Sequence, residues 1–193
     1  MSDVEKIKSD LRCLLSEYRY LHSLSVAEVA RGLAARYSYD IDKAYVTGLV
    51  HDVAKEFSDE ENRDIVSKYH LPMELLDKNY RKMLHADIGA VVARERYGFD
   101  EEACHAIACH AIGGIPMGLL DKIVFVADKI EPNKHYDGIV EERRMASIDI
   151  TKAAIMCIEN NQKKLIREKK LVYPRSFEVL EYLKDDSRND VAC

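Results

Sequence analysis

The chain has 193 residues, 47% of them hydrophobic and 33% charged, with 29 Lys plus Arg against 34 Asp plus Glu, for a formal net charge of −5. That hydrophobic share is too high for a disordered chain, 8 Gly and 4 Pro leave no room for a collagen-like or linker-rich one, and a chain of this size buries a full core without disulfide or metal staples. The acidic balance argues against a general nucleic-acid binder, whose phosphate contacts call for a basic face, although a local pocket can be basic on an acidic protein. Five cysteines, Cys13, Cys104, Cys109, Cys157 and Cys193, form no C-x-x-C pair and read as reduced thiols. The opening MSDVEKIKSD lacks the apolar core of a secretory signal, and the run Ile123 to Ala127 is far short of the ~20 residues a membrane helix needs. The expectation is a cytoplasmic protein with no membrane or nucleic-acid partner.

Nearly every segment carries the helical period. Val4, Ile7, Leu11, Leu14, Leu15 and Tyr18 form one stripe, with Ser2 and Glu5 spaced as a capping box ahead of it. A second helix is predicted over residues 23–37, with Val26, Val29, Ala30, Leu33 and Ala34 inward. In the third, Ile41, Ala44, Tyr45, Gly48, Leu49, Asp52 and Val53 share a face, and Ser38 or Asp40 could cap it. Further helices are predicted over 59–69, 72–77, 86–97, 101–110 and 119–130, the last stopped by Pro132. Residues 147–168 and, after a turn at Pro174, 176–184 complete the pattern. No internal repeat and no alternating strand pattern is present. The expectation is one all-α domain over residues 1–185, with a motif core at about 18–135, helices 147–184 packed on it and a disordered tail at 186–193.

The informative residues break this pattern. Asp52 lies on an apolar face beside Leu49 and Val53, where a bare carboxylate is costly to desolvate. Asp128 follows IVFVA and shares a face with Leu120, Val124 and Phe125. A metal cation would account for both: His22, His51, Asp52 and Asp128 offer two imidazoles and two carboxylates, a set that suits Fe, Mn, Co or Zn. Four ligands on a six-coordinate ion leave room for water and a substrate oxygen. The plainer alternative is that His51 and Asp52 cap or salt-bridge within the core.

The order His22, His51-Asp52, Asp128 resembles the HD-domain metal-dependent phosphohydrolases. The segments HSLSVAEVARGLA from His22, GLVHDVAKE from Gly48, HADIGAVVA from His85, AIACHAIGG from Ala106 and MGLLDKIVFVADKIEPNK from Met117 carry the likeness. HADIGA and the ADKIEP run resemble the YqeK-like branch in particular, described as symmetrical dinucleoside tetraphosphatases. The resemblance implies a helical bundle with one transition-metal ion, iron first, held by His22, His51, Asp52 and Asp128. It implies hydrolysis of diadenosine tetraphosphate at the central phosphoanhydride to two ADP, with Asp52 or Asp128 orienting the water and His85, His110 and Lys134 offsetting negative charge. Phosphate contacts are implied around His85, His110, Ala111 and Lys134, where Lys134 replaces the arginine expected after EPN and loses its bidentate fork. His85 and His110 could instead hold a second ion.

Three residues after Asp52, Lys55 could meet phosphate, pair with Asp52 or lie in solvent. In related proteins the region of Tyr173, Pro174 and Arg175 closes over the nucleotide; the alternative is an ordinary turn. His105, about 140° from His110 around a helix, cannot face the same centre, and His70 and His135 read as surface residues. Two copies could pair through the terminal helices. The competing functions are an HD enzyme acting on a deoxynucleotide, a nucleoside diphosphate or a cyclic nucleotide, a non-catalytic nucleotide sensor, and a metal-free helical scaffold.

Overall fold

A computed structural model describes residues 4–72, 76 and 81–189. Among them are ten α-helices and no strand: α1 (Val4–Leu14), α2 (Glu17–Arg36), α3 (Ile41–Val50), α4 (Asp59–Lys68), α5 (Arg81–Tyr97), α6 (Glu101–Cys109), α7 (Leu119–Ile130), α8 (Ile139–Ala146), α9 (Ile150–Arg167) and α10 (Arg175–Asn189). The all-α expectation holds.

α7 is the axis of the bundle. Eight of the twelve residues in LLDKIVFVADKI are apolar, and Asp121, Lys122 and Asp128 are buried with them, so the helix is enclosed on every side and only Leu119 and Lys129 escape full burial. It packs against α2, α3, α6, α8 and α9, while α5 pairs with α6 and α10 with α9. Leu49, Ile88, Ile107, Leu120, Ile123 and Phe125 are among the fully buried side chains at these crossings. α2 and α3 approach closely at Gly48, where a Cβ would lie 3.1 Å from Ala30 Cβ and 3.2 Å from Ala27 Cα. That contact holds α2, with His22 in its second turn, against α3, with His51 at its end.

Several boundaries differ from the expected ones. The stripe from Val4 to Tyr18 is two helices, because Ser16 caps α2 and is itself gripped by Glu56, whose carboxylate accepts from Ser16 N at 2.5 Å and Oγ at 2.8 Å. α3, capped by Asp40 as expected, stops at Val50. Residues 51–57 continue in tighter turns with i→i−3 bonds from Val53, Lys55 and Phe57, so Asp52 is inward through a turn and not on the helical stripe. α8 was not anticipated. Gly138, at φ +98°, turns the chain into it, where a Cβ would meet Asn160 Nδ2 at 2.8 Å. α10 runs to Asn189, into the segment expected to be a tail. Ser2, most of the helix expected over 72–77 and the end of the tail lie outside the described residues.

Candidate metal centre

Four of the seven histidines converge with two aspartates at the junction of α2, α3, α5, α6 and α7. His22 projects from α2, His51 is the C-cap of α3, Asp52 follows it, His85 lies in the second turn of α5, His110 is the C-cap of α6, and Asp128 lies near the end of α7. All six are buried.

The rings are aimed by their second nitrogens. His51 Nδ1 donates to Gly48 O and His110 Nδ1 to Ile107 O, each at 2.6 Å. A carbonyl only accepts, so both rings must carry the proton on Nδ1, which leaves a lone pair on each Nε2. His22 Nδ1 lies 3.3 Å from Glu131 Oε1, the carboxylate–histidine arrangement that fixes a ligating tautomer. Glu131 is held in turn by Ser25 Oγ at 2.8 Å and by Asn133 N at 2.8 Å.

These lone pairs and the carboxylates face one another. His22 Nε2 is 3.1 Å from Asp128 Oδ1, and His51 Nε2 is 3.8 Å from the same oxygen. Asp52 Oδ2 is 3.9 Å from His22 Nε2 and 3.7 Å from His51 Nε2, while its Oδ1 is 3.2 Å from His85 Nε2 and 3.4 Å from His110 Nε2. None of these six approaches is aligned as a hydrogen bond, and His22 Nε2, His51 Nε2 and Asp52 Oδ1 are buried without a hydrogen-bond partner. Orphaned buried acceptors are costly. A cation among them satisfies several at once, and His22, His51 and Asp128 form one ligand group while His51, Asp52 and His110 form another. Two imidazoles and carboxylate oxygens in each group fit a transition metal.

The electrostatics agree with that fit. Burial pushes His51 down to about 4 and lowers His85 and His110 as well. Burial alone would raise Asp52, but His51 and contacts with His110 and His85 outweigh it and hold the carboxyl far below the ordinary range. Asp128 is likewise held low against its burial by Lys129 and His22. Uncharged imidazoles and ionised carboxylates are the protonation states that metal ligation requires.

Cations ring the cluster. Lys55 lies here and not in solvent, its Nζ 2.9 Å from His85 Nε2 and 3.5 Å from Asp52 Oδ1. Lys134 Nζ is 3.7 Å from Asp128 Oδ1. Sequence reasoning missed Arg19, 3.3 Å from Asp52 Oδ2, Lys129, 2.6 Å from Asp128 Oδ2, and Glu131 behind His22. Arg19 stands one turn before His22, and the other two lie within the ADKIEP run itself, so their place beside Asp128 was the available signal.

The remaining expected residues lie outside the cluster. Tyr173 and Arg175 line a cavity of about 420 Å³ with Asp87, His105, Cys109 and Ala111, while Pro174 between them is exposed. Ala111 connects this cavity to His110, its neighbour in the chain. His105 Nδ1 turns to Asp121 Oδ2 at 3.0 Å, away from the centre, and His70 and His135 are exposed. Burial pushes the Cys109 thiol up to about 12, which suits packing and not reactivity.

A helical bundle that gathers a His, a His-Asp pair and a distant Asp around one cation position defines a class of metal-dependent domain. The HD domain family model matches residues 19–133, so the chain belongs to the HD-domain family. Symmetrical bis(5'-nucleosyl)-tetraphosphatases from Bacillus subtilis (strain 168) and Halalkalibacterium halodurans are 37% and 35% identical to it. The alignments cover 84% of this chain and 88% of the first relative, and 83% and 86% for the second. A crystal structure from Clostridium acetobutylicum, described as a predicted HD superfamily hydrolase involved in NAD metabolism, matches with a TM-score of 0.88 at 35% identity, covering 96% of this chain and 99% of that one.

Proposed function

We propose that the chain hydrolyses dinucleoside tetraphosphates at the central phosphoanhydride, converting diadenosine tetraphosphate and water to two ADP. The observation that carries this reading is Asp52, whose two oxygens face separate pairs of imidazoles inside a ring of Arg19, Lys55, Lys129 and Lys134. The names of the relatives at 35% and 37% identity support the same activity.

His22, His51, Asp52 and Asp128 would hold the first cation, and Asp52 Oδ1 with His110 and His85 a second, where the single ion was expected from sequence. The close approach of ring nitrogens supports the second position: His85 Nε2 and His110 Nε2 are 3.0 Å apart, with Lys55 Nζ 2.9 Å from the former. When bound, such ions polarise a phosphoryl oxygen and make nearby water a better nucleophile. Iron is the first choice, with manganese, cobalt and zinc compatible with the donors.

The protein's own groups supply the rest. Lys55 stands beside Asp52 and Lys134 beside Asp128, where each offsets charge on the phosphate chain. Lys129 donates to Asp128 Oδ2 and to His110 O at 3.2 Å, which ties the end of α7 to the end of α6. Asp52 and Asp128, held ionised, can accept hydrogen bonds from the attacking water and so orient it. Among the described residues no helix is long and apolar enough to cross a membrane.

The test is chromatography of the products from diadenosine tetraphosphate with Fe, Mn or Co supplied, alongside elemental analysis of the purified protein. ADP alone, with close to two ions per chain, is the expected result. AMP with ATP, or survival of the dinucleotide while a mononucleotide is cleaved, overturns the reading.

A further inference from the structure

A substrate cut at its middle has two equal halves, and each needs room beside the cluster. The cavity at Tyr173 and Arg175 provides about 420 Å³. A second, of about 470 Å³, opens between the end of α7, the segment after it and α9. Ala111, next to His110, lines both. Each is of a size that takes a nucleotide-sized ligand.

The second cavity is built from cations. Lys129 and Lys134 stand at its inner end, tied to Asp128, while Lys163, Lys164 and Arg167 line it from α9. Lys163 and Lys164 have no ion-pair partner among the described residues, and Arg167 meets the exposed Asp137 at 3.9 Å. Asp137 is the one carboxylate in this lining. Five cations against one acid, on a chain whose net charge is −5, is a local reversal of sign that favours a polyanion. Cations in the last turn of α9, Lys164 and Arg167, also complement its dipole, but the dipole does not explain why these two and Lys163 all border one cavity.

We infer that this cavity receives the second ADP moiety of the dinucleotide, and that Lys163, Lys164 and Arg167 select a dinucleoside polyphosphate over a mononucleotide. The assignment rests on the tetraphosphatase reading for its ligand. Lys129 and Lys134 face the phosphates nearest the scissile bond, which leaves the α-phosphate and ribose of that half to the α9 cations.

The metal-loaded protein is tested as the Lys163→Glu, Arg167→Glu double variant and as the conservative Lys163→Arg, Arg167→Lys pair. Both positions are exposed, so the fold is not at stake. Steady-state kinetics are read with diadenosine tetraphosphate, and ADP is titrated at equilibrium. KM is expected to rise at least tenfold with kcat within about twofold, because the lost contacts lie away from the broken bond. ADP stoichiometry should fall from two per chain to one, and the conservative pair should restore both. An unchanged KM with two ADP retained overturns the assignment, as does a wild type that binds a single ADP while cleaving the dinucleotide. A wild type that leaves the dinucleotide intact, yet binds two ADP and loses one in the double variant, refutes the substrate and upholds the cavity.

Discussion

Replacing Glu131 with glutamine keeps the shape behind His22 and removes the charge. Glu131 Oε2 accepts from Ser25 Oγ, Asn133 N and Asn133 Nδ2, at 2.8, 2.8 and 3.1 Å, and Oε1 faces His22 Nδ1 at 3.3 Å. A glutamine amide must present its NH2 on one side or the other. Toward Ser25 and Asn133 it would set a donor against three donors, so the favoured orientation turns the NH2 toward His22. Nδ1 then becomes the acceptor and the proton moves to Nε2, the nitrogen that lies 3.1 Å from Asp128 Oδ1. The lone pair offered to the cation is gone unless the ring reverts at the expense of three hydrogen bonds. Losses of such supporting carboxylates weaken metal binding by about 10- to 100-fold, or roughly 1.4–2.7 kcal/mol. Competition of Mn or Co against a chelator, followed by elemental analysis of the dialysed protein, measures this directly. An affinity within twofold of wild type would refute the claim that Glu131 fixes the His22 tautomer.

Asp52→Asn removes charge from the oxygens facing both groups of imidazoles, so both ions should be lost together and turnover should fall at least about 100-fold; His85→Ala should release one ion only, as elemental analysis will show. Gly48→Val inserts bulk where a Cβ already sits 3.1–3.3 Å from Ala30, Ala27 and Val26, and denaturant melts should record a loss of about 1–3 kcal/mol. The variant should also lose metal affinity, because His22 and His51 sit on the two helices forced apart. Burial raises the Asp87 carboxyl from 3.8 to about 6. A raised carboxyl favours the protonated folded state, so its contribution is complete below pH 4 and is lost as pH climbs through 6. Asp87→Asn stays neutral, and the variant should gain on wild type above pH 6 by at most about 3 kcal/mol, less for a half-buried group. Equal pH profiles for the two proteins between pH 5 and 8 would contradict this.

Helices whose apolar residues are many and regular were legible in the chain. The apolar run IVFVA could only be a buried helix, and Asp128 directly after it stood out for that reason. α8 was hidden because EERR fills half of an eight-residue helix, and the acid that matters, Glu142, is buried by Tyr136 and Asn160 from outside it. The break between α1 and α2 joins a local cap, Ser16 accepting from Arg19 N, to a grip by Glu56 forty residues away, and the second half of that arrangement has no local pattern. The stripe through Val53 misled for a different reason: a chain of tight turns keeps apolar side chains inward as well as a helix does. Asp52 and Asp128 could be singled out because each is a carboxylate on an apolar face, and His22 and His51 joined them through the ligand chemistry and the order of the motif. The division of Asp52 between two sets of imidazoles, and the approach of Arg19, arise only when α2, α5 and α6 meet.

His51 and His110 each bond back to the carbonyl three residues earlier, across G-L-V-H and I-A-C-H. The bearing of each reactive nitrogen is thus written into four consecutive residues, without help from a distant partner. Small drifts between helices would shift the two rings without rotating them. Filling the centre would then require little new ordering, and uptake of the ion should be limited by the shedding of its hydration shell and not by a rearrangement of the chain.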